Sequence, residues 1–487
     1  MFEFFEQIRL AGRAFADFST SLFQPTIRLG VTGLSRAGKT VFITALIHAL
    51  TRGGRFPIFE ALATGRIARA YLAPQPDDAV PRFDYEGHVE ALLKKRNWPD
   101  STRQISELRV VIDYQSQSGY NNQLTLDIVD YPGEWLLDLP LLEKSYEAWS
   151  AESLRLSRVP PRDRAAAQWH AQLATLKPEN PADEQAALAA SRLFTEYLHA
   201  CRDVNYGMSL LPPGRFLMPG ELAGSPALTF APLDLPAEGL PPPPGSLWAM
   251  MRRRYDSYID IVVRPFFRDH FARLDRQIVL VDAMAAINAG PEAVRDLEGA
   301  LAAVLECFHV GRKTFWGTLF RPQIDRILLA ATKADHLHHT SHDRLEAILK
   351  MLAEPALTKA DLSGAQVDVV ALAAVRATRE ASVARGGEKL PCVIGTPVAG
   401  EIVGREIFDG ETEVALFPGD LPADPKDLFR NDGQAFRGLA TTSPQEADFR
   451  FLRVRPPVLE LTESGTPALP HIRLDRALQF LIGDRLE

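Results

Sequence analysis

Four residues in a glycine-rich segment near the start of the chain have the types and spacing that bind phosphate. Gly33 and Gly38 are separated by four residues, and Lys39 and Thr40 follow directly, which completes the P-loop pattern GxxxxGK[ST]. Glycines let the backbone turn so that successive N–H groups point into one concavity and hold phosphate oxygens there. The lysine adds a positive charge at the outer phosphates, and the threonine hydroxyl is a ligand for Mg²⁺. The residues predicted to contact the nucleotide here are Ser35, Arg36, Ala37, Gly38, Lys39, Thr40 and Val41.

A second segment has the residues of a site for the metal ion and the last phosphate. Asp130 follows an apolar run at 124–129, and Gly133 lies three residues after it. A carboxylate at the carboxyl end of a strand lies at the edge where open α/β sheets bind ligands. We therefore expect Asp130 to hold Mg²⁺, directly or through a water, and the Gly133 N–H to meet a γ-phosphate.

A third group of residues indicates which base is bound. Thr332, Lys333 and Asp335 follow an apolar run and form the N/T-K-x-D pattern of guanine-reading P-loop proteins. The aspartate accepts from N1–H and the exocyclic amine of guanine, whereas adenine offers no such pair of donors. Taken alone, the pattern also fits an aspartate that caps a helix. Its position after a predicted strand favours guanine, and the backbone loop that completes the pocket is predicted after the next strand, at Ala374 and Val375.

The segment 98–103 carries a hydroxyl that can complete the metal site. Thr102 precedes a predicted strand, which is where GTPases place the mobile threonine that meets Mg²⁺. Thr102 is the first candidate and Ser101 the second, although a turn or a helix cap explains a threonine here almost as well. Arg103, beside it, is a candidate to stabilise charge on the γ-phosphate during cleavage.

Glu134 is the candidate for orienting the attacking water in hydrolysis, because it occupies the position at which small GTPases usually carry a glutamine. An ionised carboxylate accepts a hydrogen bond or a proton but cannot donate one, and it lies near the negative charge of the phosphates. We therefore expect slow intrinsic hydrolysis. Whether Glu134 positions the water stays open at this point.

The elements that must position these residues alternate between strand and helix patterns, which predicts an α/β fold. The predicted strands are 27–32, 105–114, 123–130, 276–281, 325–331 and 367–373. The predicted helices lie near 41–50, 58–72, 86–96, 291–308 and 343–353. A polar turn joins the second and third strands into a hairpin. We expect a mostly parallel sheet with one antiparallel strand from that hairpin.

Two long segments interrupt the alternation. Helical patterns near 141–172 and 184–205, followed by four prolines at 241–244, indicate a large, mainly helical insertion. Short β runs between about 385 and 465 indicate a smaller β-rich insertion, and an amphipathic helix follows at 473–485. The predicted division is an N-terminal amphipathic helix at 1–23, a P-loop domain in two parts at 24–135 and 276–384, the helical insertion at 136–275, the β-rich insertion at 385–467, and a C-terminal helix that returns to the P-loop domain at 468–487.

The composition limits the class of protein. The 487 residues are 46% hydrophobic and 24% charged, as in an ordinary globular chain, and the net charge of −8 gives no electrostatic reason to bind nucleic acid. Three cysteines lie far apart, which fits a reducing, cytoplasmic location. No run of 18 uncharged apolar residues predicts a membrane span. The predicted helix at 1–23 has no cationic face, so peripheral membrane contact is only weakly supported.

Four segments resemble one bacterial family. They are Gly33-Leu-Ser-Arg-Ala-Gly-Lys-Thr40, Val262-Val-Arg-Pro-Phe-Phe267, Asp275-Arg-Gln-Ile-Val-Leu-Val-Asp282 and Ala374-Val-Arg-Ala-Thr378. The ordered motifs resemble the TRAFAC class of P-loop GTPases, and these segments resemble the YcjX-like family within it. The resemblance implies a Ras-like domain with helical and β-rich additions, Mg²⁺, GTP as substrate and GDP as product. It also implies a link to the envelope-stress response, with an unknown protein partner.

Three functions remain after this reading. The first is a GTPase in which hydrolysis releases segments ordered by the γ-phosphate. The second is an interaction module that binds guanine nucleotide tightly and turns over little, which a glutamate at position 134 favours. The third is an ATP-using P-loop enzyme, but this function does not explain the guanine-reading pattern at Thr332–Asp335.

Overall fold

The computed structural model describes residues 25–487, except 35, 101, 103, 204–205, 237–240, 309–323, 362–364, 386–387, 404–405, 430–450 and 460–466. The N-terminal helix predicted at 1–23 lies outside the described residues.

A seven-stranded sheet forms the centre of the molecule, in the order β2-β3-β4-β1-β5-β6-β7. Its strands are β1 (Thr26–Gly33), β2 (Ile67–Ala73), β3 (Ser106–Gln115), β4 (Asn121–Asp130), β5 (Arg276–Val281), β6 (Arg326–Ala331) and β7 (Gln366–Ala371). The pairs β4·β1, β1·β5, β5·β6 and β6·β7 are parallel, whereas β3 is antiparallel to both of its neighbours. β3 is therefore the one reversed strand of this sheet, and the prediction of a mostly parallel sheet with one antiparallel strand is confirmed.

The prediction of a helix near 58–72 is wrong. The structure has only the short helix α2 (Glu60–Ala63), which is followed by edge strand β2. Gly65 has a left-handed φ of 71°, which stops the helix, and the backbone that follows pairs with the free edge of β3. This segment is a strand because it pairs with β3, about 40 residues later in the sequence. The local sequence pattern does not show that this partner is available.

Both faces of the sheet are covered at its centre, so a central strand such as β5 is buried on both sides. In β5, Ile278 and Leu280 belong to one buried cluster, while Val279 and Val281 belong to the other. This alternation follows from the two-residue period of a strand. The first cluster also contains α1 (Lys39–Arg52) and the C-terminal helix α14 (Leu474–Ile482).

The second cluster joins the sheet to the mainly helical insertion, so this insertion shares a core with the P-loop domain. The helices between α2 and α14 are α3 (Tyr85–Leu93), α4 (Tyr146–Ser157), α5 (Arg162–Ala165), α6 (Ala167–Leu173), α7 (Glu184–Arg202), α8 (Gly214–Leu217), α9 (Leu247–Tyr258), α10 (Arg264–Asp269), α11 (Ala283–Ala289), α12 (Pro291–Cys307) and α13 (His342–Asp361). A π-helical turn (Ile259–Val263) connects α9 and α10, and the segment after Gly133 is a 3-10 helix (Gly133–Glu143).

The β-rich segment contains a three-stranded antiparallel sheet in the order β12-β9-β8 and a small hairpin. Its strands are β8 (Arg379–Arg385), β9 (Glu388–Gly395), β10 (Ile402–Val403), β11 (Glu406–Ile407) and β12 (Val414–Leu416). The β strands begin at 379, a little before the predicted boundary at 385.

The C-terminal end returns to the central sheet through a buried arginine. The Arg276 side chain on β5 is fully buried, forms an ion pair with Asp484, and donates to the Leu481 carbonyl. Within the described residues, no helix combines the length and apolar character needed to cross a membrane.

Candidate nucleotide-binding site

The phosphate loop lies at the carboxyl end of β1, whose last five residues are buried, and leads into α1. Arg36 has a φ of 61° and Gly38 a φ of 80°, both in the left-handed region. A Cβ at Gly38 would meet nothing within 4 Å, so the backbone conformation and not the space requires glycine here. The loop is closed by a hydrogen bond from Ala37 N to Leu34 O (3.0 Å), and α1 begins at Lys39. Ser35, which was predicted to contact nucleotide, lies outside the described residues.

Four predicted site residues form one hydrogen-bonded chain. Lys39 Nζ forms an ion pair with Asp130 Oδ1, and Thr102 Oγ1 donates to Asp130 Oδ2 at 2.7 Å. The hydroxyl oxygens of Thr40 and Thr102 are 3.3 Å apart, and Thr40 Oγ1 donates to Asp100 O at 3.2 Å. Residues up to 91 positions apart in the sequence are therefore in contact.

The oxygens of this chain fit a magnesium ion. Thr40, Thr102 and Asp130 offer two hydroxyls and a carboxylate, which are hard oxygen donors of the kind that Mg²⁺ takes together with water and phosphate. Asp130 is 1% exposed and Thr40 6% exposed, so both are withdrawn from bulk water. Ser101 and Arg103, the other candidates in this segment, lie outside the described residues.

Gly133 packs directly on the phosphate loop. A Cβ built at Gly133 would lie 2.0 Å from Gly33 O and 2.6 Å from its carbonyl carbon. Because a Cβ atom is essentially never closer than 3.0 Å to another heavy atom, only glycine permits this approach. The loop that was predicted to sense the γ-phosphate is therefore in backbone contact with the loop that was predicted to bind it.

Glu134 is paired with an arginine from the helical insertion. Its Oε1 is 3.0 Å from an Nη of Arg202, and the two side chains are 10% and 20% exposed. Arg202 is the last residue of α7. One oxygen of this carboxylate is thus already paired with a cation, and a role for Glu134 in positioning water stays a prediction.

The base-reading motif lies at the end of β6. Asp335 is 4% exposed, and its Oδ2 accepts from Ala377 N at 2.9 Å. Lys333 adopts a left-handed φ of 60°, and its Nζ forms an ion pair with Asp282. Burial lowers the pKa of the neighbouring His336, which keeps that ring neutral near pH 7.

One cavity of about 810 Å³ joins the phosphate loop to the base-reading motif. It has room for a nucleotide, and its wall includes the phosphate loop, Thr102, Gly133, the base-reading motif and the predicted backbone loop at Ala374 and Val375. The predicted residues that line it are Arg36, Ala37, Gly38, Lys39, Thr40, Val41, Thr102, Gly133, Glu134, Thr332, Lys333, Asp335, Ala374 and Val375. Asp130 reaches this wall through its contacts with Lys39 and Thr102.

The chain is similar to known proteins over nearly its whole length. The model of the YcjX-like family, DUF463, matches residues 27–486. This chain belongs to the YcjX-like family. It is 38% identical over 484 residues to the Ras-like GTPase YcjX of Escherichia coli, which covers 94% of this chain and 96% of the relative. It is 34% identical over 486 residues to the Ras-like GTPase YcjX of Shewanella oneidensis, with 95% of each chain covered.

Membership in the YcjX-like family confirms the resemblance drawn from the motifs, and the fold is a Ras-like P-loop domain with insertions. Both insertions of this YcjX-like chain also reach the cavity. Arg202 and Met218 come from the helical insertion, and Arg453 and Arg455 come from the segment after β12.

Several of these site residues were not found from the sequence. Arg202 and Arg455 belong to no motif, and their spacing from the P-loop carries no signal. Trp98 donates through Nε1 to Val454 O at 2.6 Å, which fastens the segment before Thr102 to the β-rich part. Asp282 could have been found, because it follows β5 at the same sheet edge as Asp130.

Proposed function

We propose that this protein is a Mg²⁺-dependent guanine-nucleotide-binding GTPase whose intrinsic hydrolysis is slow. The observation that carries the proposal is the convergence of Lys39, Thr40 and Thr102 in one cavity with Asp335. Asp130 lies behind the wall of this cavity, bonded to Lys39 and Thr102. The names of its relatives support the same activity.

In this proposal each site residue has its own role. The phosphate loop binds the phosphates through backbone N–H groups, and Lys39 exchanges its contact with Asp130 for phosphate oxygens. Thr40, Thr102 and Asp130 hold the metal ion. When bound, Mg²⁺ neutralises charge on the β- and γ-phosphate oxygens. Asp335 accepts from the guanine edge, and Gly133 donates its N–H to the γ-phosphate.

A slow rate is expected from the state of Glu134. An ionised glutamate cannot donate to a phosphate oxygen while it accepts from water, and this carboxylate is bound to Arg202. We further propose a cytoplasmic switch in a bacterial envelope-stress response, read by a protein partner. The family resemblance is the support for this part of the proposal.

The base preference is the direct test. Affinities of GTP, ATP and a xanthosine nucleotide are measured for the wild type, Asp335→Asn and the control Asp343→Asn, whose side chain is 89% exposed. Two hydrogen bonds to a carboxylate contribute about 1.5–3 kcal/mol each, so Asp335→Asn should weaken GTP binding by at least about 100-fold. It should also favour the xanthosine nucleotide. Equal GTP and ATP affinity in the wild type would refute guanine selectivity.

A second function is favoured by one observation. The Glu134–Arg202 pair occupies both side chains, which suits an interaction module that keeps its nucleotide and rarely cleaves it. Phosphate release from a single turnover separates the two functions. Selective GTP binding without release supports the module, and release at a measurable rate supports the GTPase.

A further inference from the structure

The C-terminal end of α7 brings a guanidinium into the nucleotide cavity from outside the P-loop domain. Arg202 is the last residue of this 19-residue helix, and it lines the cavity together with Gly133, Glu134 and the phosphate loop. Its charge lies next to the loop that contacts Gly33, which is the loop expected at the γ-phosphate.

The neighbouring structure fixes where this arginine can be. A Cβ at Gly214 of the insertion would lie 1.9 Å from Glu134 O, so the insertion and the segment after Gly133 are in direct backbone contact. Trp135 Nε1 donates to Met218 O at 3.0 Å, and the Arg202 guanidinium is 3.5 Å from Met218 Sδ. We therefore expect a movement of the segment at 133–135 to shift the position of Arg202.

Further buried contacts hold this junction together. The Arg215 guanidinium lies 3.2 Å from the centroid of the Trp135 ring and is almost fully buried. Asp138 accepts from Gly214 N at 2.7 Å and from Tyr258 OH at 2.7 Å. Groups held in advance in the geometry that a reaction needs lose little free energy to reorganisation.

We propose that Arg202 is a catalytic residue for GTP cleavage, and that Glu134 holds it until a γ-phosphate is present. This inference rests on the proposed GTPase function. In the reaction the water oxygen forms a bond to Pγ and the bond from Pγ to the β,γ-bridging oxygen breaks. GDP leaves with that electron pair, and the proton of the water passes to the released phosphate. Arg202 donates to the oxygens on which negative charge grows, and a planar guanidinium can make two such bonds.

The pairing with Glu134 gives this arginine two alternative partners. Without a γ-phosphate the carboxylate neutralises the guanidinium at 3.0 Å. The γ-phosphate brings more negative charge than the carboxylate and lies beside Gly133, so it competes for the same donors. Glu134 is on this account a positioning residue, which explains a glutamate where a water-orienting glutamine is usual.

The experiment compares Arg202→Ala and Arg202→Lys with the control Arg192→Ala. Arg192 lies on the same helix, where it is exposed and pairs with Glu196. Single-turnover GTP cleavage with Mg²⁺ is measured together with GDP affinity and with binding of GDP plus aluminium fluoride, a mimic of the transferring phosphoryl group. Arg202→Ala should lower the cleavage rate at least tenfold and lose the aluminium fluoride complex, while GDP affinity changes less than threefold. Arg202→Lys should restore little, because an ammonium lacks the planar donor pair.

The outcomes separate this inference from the function on which it rests. Wild-type protein without affinity for GTP would overturn both. Selective GTP binding, with Arg202→Ala still cleaving GTP and forming the aluminium fluoride complex at wild-type levels, would overturn the role of Arg202 alone. If Arg202→Ala loses GDP and GTP affinity to the same extent and also melts at a lower temperature, Arg202 has a structural role, and its catalytic role is overturned. In Glu134→Ala the guanidinium is no longer held by the carboxylate, so GTP cleavage should be faster than in the wild type, and a rate at or below that of the wild type would overturn the holding role of Glu134.

Discussion

Substitution of Gly133 by alanine tests the contact on which the γ-phosphate sensor depends. The added Cβ would lie 2.0 Å from Gly33 O, 2.6 Å from Gly33 C and 3.1 Å from Gly33 N. Because 3.0 Å is the practical lower limit, the two backbones must separate by about 1 Å. No left-handed conformation is required of Gly133, so this expected effect comes from space alone.

The size of the effect follows from the cost of overpacking. An extra methyl group in a packed site costs about 1–3 kcal/mol, and here the atoms in its way are backbone atoms that cannot change rotamer. If that strain is relieved by moving Gly133 away from the phosphate loop, affinity for a non-hydrolysable GTP analogue falls about 5- to 150-fold. GDP has no γ-phosphate, so its affinity should fall less.

The matched control is Gly299→Ala on α12. Its added Cβ would meet only Leu210 Cδ2 within 4 Å, at 3.4 Å, and alanine is the better helix residue by about 0.5–1 kcal/mol. Fluorescent nucleotide titrations and thermal melts of both variants are compared with the wild type. A Gly133→Ala protein with wild-type affinity for the GTP analogue and an unchanged melting temperature would show that the two loops are not in contact.

Two further predictions concern the segments around the site. Trp98→Phe removes the 2.6 Å hydrogen bond to Val454 O, worth about 1 kcal/mol, and should speed GDP release about fivefold in a stopped-flow chase. The control Trp248→Phe, which removes a tryptophan donor outside the cavity lining, should not change that rate, and equal rates for both variants contradict the proposed fastening. Burial raises the pKa of Asp138 to about 6 in the folded protein. Protonation of this carboxyl therefore stabilises the fold. The added stability is complete below the unfolded-state pKa near 3.8 and is lost as the pH rises through 6. When the pH is lowered from 7.5 to 5, the free energy of unfolding of the wild type, measured with denaturant, should rise by about 1 kcal/mol more than that of Asp138→Asn. The same pH dependence in both proteins would refute a buried, ionisable Asp138.

Most strands of the sheet could be predicted from the sequence because the hydrophobic pattern that favours each of them lies within the strand itself. Alternating or continuous apolar runs at 276–281 and 325–331 became β5 and β6, and glycine and lysine in the P-loop pattern marked the turn into α1. The edge strand β2 was missed, since its half-exposed residues carry no clear period and it depends on β3 for hydrogen bonds.

The candidate site divides in the same way. Lys39, Thr40, Asp130 and Asp335 could be predicted because each belongs to a motif attached to its own strand or loop. Glu134 was interpreted as a water-positioning candidate, but its bond to Arg202 could not be foreseen, because the two residues are 68 positions apart and the chain between them folds into several helices.

The amino-acid sequence by itself determined the proposed chemistry of nucleotide binding, since the expected phosphate, metal and base contacts depend on residue types at short, fixed spacings. Only the tertiary structure decided what surrounds the position expected for the γ-phosphate. Gly133 touches Gly33, Arg202 reaches Glu134 and Trp98 reaches Val454 because packing of the sheet and the two insertions brings distant backbones together. Contacts of this kind follow from the summed burial of many side chains, and no local pattern encodes them.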